Sequence, residues 1–243
     1  MRHASNKILV TGATGTLGTA ISRLFSGPGK EIAIHCRSRR GEAEALANEL
    51  KAGGAEAFVL EADLSRADEA VRLGAEAFER MGGLDLLIHA AALFEKTPLG
   101  TVSEEQWDHI LDIDLKGAFF LAQEVGMRMQ RDGGRMIFFS DVAAVRPYAG
   151  YLPYCIAKAG IDSLVRGLAK SLAPRVLVNG IAPFIVTRPA GMSDSGWSDL
   201  LSKMPTRRAS TPEDVAAVVK MLAESGDSIT GQIIAVDGGR LLS

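Results

Sequence analysis

A chain of 243 residues, 47% hydrophobic and 23% charged, is long enough to bury a substantial core as one α/β domain. Its formal charge of -2, with Lys and Arg dispersed apart from Arg37-Ser38-Arg39-Arg40, argues against a nucleic-acid or membrane-surface partner held by bulk electrostatics. The two cysteines, Cys36 and Cys155, sit in no CxxC pair and read as reduced thiols, so neither a disulfide nor a metal site is expected.

Met1 to Lys7 is polar with no long apolar region behind it, so a secretory signal is not expected. No apolar run approaches the roughly 20 residues of a membrane-spanning helix, which leaves the cytoplasm as the expected location.

Short apolar runs alternate with amphipathic stretches along the whole chain. The strands expected are Lys7–Val10, Glu31–His35, Ala57–Leu60, Leu84–Ala90, Arg135–Phe139, Val176–Ile181 and Ile233–Val236. Several are apolar without alternation, as strands covered on both faces are. Between them fall the expected helices Thr16–Phe25, Glu42–Lys51, Ala67–Met81, Glu104–Gln130, Leu152–Leu172 and Pro212–Ala223. Ser103 with Gln106 forms a capping-box pattern, and Thr211-Pro212 reads as a cap followed by proline in the first turn. Each parallel crossover needs a helix, so this alternation implies a doubly wound parallel sheet in a single domain over 1–243. The irregular stretch from Thr187 to Pro205, rich in Gly, Ser and Pro, is expected to be a substrate lid; Trp197 within it either closes over substrate or lies exposed.

Directly after the first strand comes Thr11-Gly12-Ala13-Thr14-Gly15-Thr16-Leu17-Gly18, opening the first helix. Missing side chains let the backbone approach a pyrophosphate, and free N–H groups with the helix dipole attract it. The end of the second strand selects the cofactor. A carboxylate there would bind the ribose hydroxyls of NAD, but the sequence is His35-Cys36-Arg37-Ser38, with no carboxylate until Glu42. Arg37 can fork onto a 2′-phosphate and Ser38 can add a hydroxyl, which favours NADP(H).

Tyr154 and Lys158 lie four apart at the start of a helical pattern, hence on one face. An ammonium beside a phenol favours the phenolate, and such a tyrosine can hand a proton to substrate while hydride arrives from nicotinamide.

With these residues on view, the whole chain resembles a short-chain dehydrogenase/reductase. The matching pieces are Thr11–Gly18, Ala62-Asp63-Leu64, the Tyr154/Lys158 pair, the segment from Val178 to Pro183, and the ending Thr230-Gly231 to Gly239. The resemblance implies a Rossmann-type seven-stranded sheet, hydride transfer with NAD(P), and self-association as a homotetramer or a dimer. It also implies that Asp63 and Leu64 contact adenine, that His89, Ala90 and Ala91 flank the cofactor, and that Pro183, Ile185 and Thr187 lie near the nicotinamide.

The departures carry as much information. Asp141 stands where the family has its serine, with Ser140 beside it. His89-Ala90-Ala91-Ala92 replaces Asn-Asn-Ala-Gly; Asp114 replaces the helix asparagine; Thr16 replaces a glycine, and so does Phe184. Asp141 and a non-glycine at Thr16 are similar to the pteridine reductases, in which an aromatic at the Phe94 position stacks on the pterin. Asp114 does not match them. A carboxylate suits ring nitrogens and an amino group as a serine does not. Near Tyr154 it would oppose the phenolate that Lys158 favours, so these groups should titrate as a unit. Each residue also has a plainer role: Asp141 as an ion-paired loop residue, Asp114 as a helix-surface carboxylate, Phe94 as core filling.

The expectation is therefore an NADPH-dependent reductase of a pterin-like or other planar unsaturated substrate, with Tyr154, Lys158, Asp141 and Asp114 catalytic and Phe94 at the substrate. A carbonyl reductase of the 3-oxoacyl-[acyl-carrier-protein] type is the alternative, and a non-catalytic NADP(H) sensor the third.

Overall fold

Seven short apolar segments pair side by side into a wholly parallel sheet in the computed structural model, which describes residues 5–189, 191–224 and 227–243. The strands are β1 (Lys7–Thr11), β2 (Glu31–Cys36), β3 (Glu56–Glu61), β4 (Leu86–His89), β5 (Gly134–Phe139), β6 (Val176–Pro183) and β7 (Ile233–Val236). Their order is β3-β2-β1-β4-β5-β6-β7, so the winding reverses between β1 and β4. Register across that reversal sets Thr11 beside His89, and on the far side of β4 sets His89 beside Phe138.

Side chains alternate across the pleat into two cores. Ile8, Val10, Ile32, Ile34, Ile88 and Phe139 face α1 (Thr16–Leu24), α2 (Arg40–Ala52) and α8 (Pro212–Glu224). Leu9, Ala33, Leu87, Phe138 and Val178 face α3 (Ala67–Arg80), α5 (Gly117–Met129) and α6 (Leu152–Leu172). Both faces are dry, which is why the strand sequences lack polar alternation. The expected fold is therefore the observed one: a single Rossmann-type α/β domain.

Two expectations need correction. The single helix expected over Glu104–Gln130 is three pieces: α4 (Glu104–Leu111), a π-helical turn over Asp112–Lys116, and α5. One extra residue per turn at this point carries Asp114 into the interior, where it is 1% exposed. The stretch from Thr187 to Pro205 is not wholly irregular either, because it contains α7 (Asp194–Ser202). Ser193 caps that helix by accepting from Gly196 N–H, and Arg188 pairs with Asp194 at 2.7 Å. None of its residues is buried, so no apolar stripe marked it in the sequence; Ala190 of that stretch lies outside the described residues. The capping box at Ser103 and Gln106 is present, and Thr211 Oγ1 accepts from Asp214 N–H at 3.1 Å. No helix among the described residues is long and apolar enough to cross a membrane.

Gly117 starts α5 against the turn after β3: a Cβ there would collide with the carbonyl oxygen of Leu64. Gly117→Ala is expected to destabilise the fold by about 1–3 kcal/mol, as overpacking against immovable backbone does. Urea unfolding followed by far-UV circular dichroism measures it, and an unchanged midpoint would show that the turn yields at no cost.

Candidate active site

The reversal between β1 and β4 opens a crevice at the carboxyl ends of the strands, where chains of this topology bind ligands. A cleft of about 230 Å³ lies there, lined by Gly12, Thr14, Gly15, Arg37, Ser38, Asp63, Leu64, Ala90 and Ala91 among others. Nine of the residues expected at a cofactor thus share one cleft. Gly12 has φ +63°, and a Cβ on it would lie 2.8 Å from the backbone of Ala91. A Cβ on Gly18 would collide with the carbonyl oxygen of Gly12. The bare backbone is therefore required by close approach as well as by the turn.

Arg37 is the basic residue of the Arg37–Arg40 run that makes no ion pair within 4 Å among the described residues. Its neighbours Arg39 and Arg40 pair with Glu42 at 3.0 Å and Glu44 at 2.8 Å. Burial opposes ionisation of Asp63, yet its carboxyl is held below the usual range by hydrogen bonds from Ser65 and by the Arg37 guanidinium. The open cradle, the free fork of Arg37 and the absence of a carboxylate on the β2 end fit a phosphorylated dinucleotide.

Two buried histidines support the cleft, His35 in its lining and His89 beneath it. His35 Nδ1 accepts from Gly12 N–H at 3.3 Å, so its Nε2 carries the proton to Ala62 O at 3.0 Å. This ring joins the glycine turn to the turn after β3. His89, 2% exposed, bonds Thr11 Oγ1 through Nδ1 at 3.0 Å, and its Nε2 has no hydrogen-bond partner. It sits under the cleft and does not line it. Burial lowers both rings, His35 to about 4 and His89 to about 3, with Lys158 adding to the effect on His89. Pro183 ends β6, Ile185 is buried just beyond it, and Thr187 is exposed further along. Thr16, Leu17 and Gly18 form the first turn of α1.

The catalytic candidates gather at the end of β5 and the start of α6. Tyr154 donates its hydroxyl proton to Asp141 Oδ2 at 2.8 Å. Oδ1 of the same carboxylate accepts from Ala143 N–H at 2.7 Å and from Tyr148 OH at 2.9 Å. Asp141 is thus not paired to a cation on a loop; it is held by three donors. Burial still pushes its carboxyl up, against those donors and the charge of Lys158.

Lys158 does not reach the phenol oxygen. Its Nζ donates to Phe139 O at 3.1 Å, lies 5.4 Å from the Tyr154 ring centroid, and faces Asp114 Oδ2 at 3.8 Å. Both side chains of that ion pair are buried, and 3.8 Å is too long for a hydrogen bond, so Asp114 Oδ2 is left without one. The other oxygen, Oδ1, accepts from Leu93 N–H at 2.6 Å. Burial pushes the Asp114 carboxyl up, opposed by Lys158. The phenolate expected beside Lys158 therefore gives way to a neutral phenol. Burial and then Asp141 push Tyr154 well above its ordinary value, because the Asp141 carboxylate hydrogen-bonds the phenol and Lys158 does not. Ser140 offers no substitute serine, since its hydroxyl turns away to Asp162 Oδ1 at 2.5 Å.

Phe94 is 57% exposed, which removes the core-filling alternative. It stacks on Tyr151 with centroids 4.3 Å apart and meets Tyr154 edge-on at 4.9 Å. Tyr148 and Phe184 extend the cluster, their rings 6.3 Å apart. A Thr97 N–H to Gly150 O bond of 2.7 Å ties the Phe94 loop to the tyrosine turn. Tyr148 and Tyr151 were not among the residues expected here. One signal was available: the chain has 3 tyrosines, and all fall at three-residue spacing, Tyr148, Tyr151 and Tyr154.

This geometry agrees with the comparisons. The profile of a family described as enoyl-(acyl carrier protein) reductase matches residues 12–240. A 3-oxoacyl-[acyl-carrier-protein] reductase of Staphylococcus epidermidis is 32% identical over 236 residues, covering 95% of this chain and 97% of that protein. Nodulation protein G of a Rhizobium species is 34% identical, covering 96% of each. A short-chain type dehydrogenase/reductase from Mycobacterium ulcerans superposes with a TM-score of 0.92 at 25% identity, over 100% of this chain and 92% of that one. The chain belongs to the short-chain dehydrogenase/reductase family, oxidoreductases that use nicotinamide cofactors. One of these relatives is named as a carrier-protein reductase and none as a pteridine reductase, so the branch expected from Asp141 is not the one their names mark.

The buried histidines have a consequence for acid stability. An unfolded histidine takes its proton near about 6.5, whereas His89 stays neutral to about 3. Between those values only the unfolded chain is protonated, so stability falls as pH falls; the raised carboxyls of Asp114 and Asp141 act in the opposite sense. In His89→Asn the slope of unfolding free energy between pH 6 and 4 is expected to be shallower by about 1.4 kcal/mol per pH unit. Equal slopes in urea titrations of the two proteins would show that the folded protein protonates His89.

Proposed function

We propose that this protein is an NADP(H)-dependent reductase of a planar, unsaturated, nitrogen-bearing ring of the pterin type. The observation that carries this reading is the Asp141 carboxylate on the Tyr154 hydroxyl, set against an exposed aromatic cluster headed by Phe94. A flat ring can stack on Phe94, and a carboxylate can accept from its ring N–H or amino group. A ketone oxygen in the same position would meet carboxylate repulsion where a serine would donate.

In this reading Gly12 to Gly18 hold the pyrophosphate, Arg37 and Ser38 the 2′-phosphate, and Asp63 and Leu64 the adenine end. His89, Ala90 and Ala91 support the cleft floor, while Pro183, Ile185 and Thr187 lie toward the nicotinamide. The bound cofactor supplies hydride. Tyr154, kept protonated by burial and by Asp141, supplies the proton to the reduced atom. Lys158, facing Asp114, offsets the negative charge that develops on the phenol oxygen as its proton leaves. The 187–205 stretch, whose helix α7 buries none of its residues, acts as the cover. The protein works as a homotetramer or a dimer, with the exposed Phe119 and Trp107 of α5 and α4 available for self-association.

Reduction of a 3-oxoacyl thioester is the second reading, favoured by the names of the relatives and by the retained Tyr154 and Lys158. NADPH consumption with dihydrobiopterin, dihydrofolate and acetoacetyl thioester separates the two. Asp141→Ser is expected to lower pterin kcat/KM more than tenfold, over about 1.4 kcal/mol of transition-state stabilisation. If the same variant keeps its pterin kinetics, or the unsubstituted protein reduces the thioester and none of the pterins, the carbonyl reading replaces the first. Tight NADPH binding without turnover on any of the three would leave a sensor.

For the cofactor, Arg37→Ala is expected to weaken NADPH binding at least tenfold and NADH binding hardly at all, since one charge-assisted phosphate contact is worth about 1.5–3 kcal/mol. Fluorescence titration with both nucleotides reads this directly, and equal losses would defeat the 2′-phosphate assignment.

A further inference from the structure

Tyr148 lies outside the Tyr154/Lys158 pair and outside the cofactor cleft, yet its hydroxyl and that of Tyr154 converge on one carboxylate. Tyr148 donates to Asp141 Oδ1 at 2.9 Å and Tyr154 to Oδ2 at 2.8 Å, while Ala143 N–H takes the second position on Oδ1 at 2.7 Å. We propose that Tyr148 is a positioning residue that acts through Asp141: it closes Oδ1, holds the carboxylate in its ionised form, and leaves Oδ2 alone to face Tyr154 and the substrate. The proposal deepens the function above and rests on its assignment of Asp141 to the site.

The placement has a structural basis. Tyr148 sits in the turn between the 3₁₀ turn at Val142–Ala144 and α6, and its backbone N–H is held by Cys155 Sγ at 3.3 Å. Its ring meets the stacked Phe94–Tyr151 pair edge-on, with centroids at 6.5 and 6.4 Å, and Phe184 lies against it at 6.3 Å. The ring cannot swing freely, so its hydroxyl presents one fixed donor to Asp141. Together with the Ala143 amide it occupies Oδ1, so that Oδ2 is the oxygen turned to Tyr154.

The charged and titratable groups around this point come from four places. Tyr154, Cys155 and Lys158 lie on α6, and Asp114 approaches from the π-helical turn. Arg240, near the C-terminal end of the described residues, acts on Tyr148, and Tyr148 itself completes the set. Among them the two hydroxyls, the Ala143 amide and Lys158 favour an ionised Asp141, and removing any one of these must raise its midpoint.

The test is Tyr148→Phe, which keeps the ring and its aromatic contacts and removes only the donor. Asp141 is titrated by ¹³C NMR of the full chain labelled in its aspartate carboxyls, its resonance identified by loss in Asp141→Asn. The midpoint is expected to move up by about one pH unit in Tyr148→Phe, and the acid limb of kcat/KM to move with it. A midpoint that stays in place overturns the hold of Tyr148 on the carboxylate. A midpoint that moves while the acid limb does not also overturns the proposal, but by a distinguishable route: the carboxylate is then held by Tyr148 without governing the reaction, and the role given to Asp141 fails with it.

Discussion

A balance of charge around one phenol organises this site. Asp114 and Asp141 bring two carboxylates to Lys158, which is the buried cation among the described residues. Neither carboxylate makes a short ion pair with it: Asp114 stands 3.8 Å away, and Asp141 is satisfied by an amide and two hydroxyls. In a partly dry site a charge must be compensated by dipoles or by an opposite charge. The protein uses both, dipoles for Asp141 and charge for Asp114. Tyr154 is consequently a hydrogen-bond donor to Asp141 at rest.

The sheet makes this arrangement possible from a distance. Reversal of winding between β1 and β4 opens the crevice, and the parallel register delivers Thr11, His89 and Phe138 to one level beneath it. The buried histidines then link turn to turn, His35 joining Gly12 to Ala62 and His89 joining β4 to Thr11. The π-helical turn performs a related service on the other side. By adding a residue within a helix it points Asp114 at Lys158, while Gly117 just beyond it lets α5 close on Leu64. The cleft and the tyrosine–carboxylate cluster thus share supports.

Aromatic residues complete the mouth. Phe94, Tyr148 and Tyr151 come from two loops, fastened by one backbone hydrogen bond from Thr97 to Gly150, and Tyr154 from the first turn of α6. Three of the four rings also belong to residues outside any strand or long helix, since Phe94 and Tyr148 lie in loops and Tyr151 precedes α6. Such positions carry no hydrophobic period, so the three-residue spacing of the tyrosines was the one mark that Tyr148 and Tyr151 left in the sequence.

What the amino-acid order determined by itself was whatever depends on neighbours along the chain. Apolar runs without alternation marked strands buried on both faces; the Ser103 and Gln106 spacing marked a cap; the glycines after β1 marked a turn that admits no side chain; Tyr154 and Lys158 marked one helix face. These effects are local, with ranges of one to four residues, and so they are legible in one dimension. Only the tertiary structure decided which group faces which. It turned Ser140 toward Asp162, set Asp141 between two phenols, kept Lys158 off the phenol oxygen, bent a helix to bury Asp114, and folded α7 out of a stretch without an apolar stripe. Those outcomes follow from competition among donors, acceptors and burial between segments far apart in the chain. A hydrogen bond between Asp141 and Tyr148 leaves no period or spacing behind it.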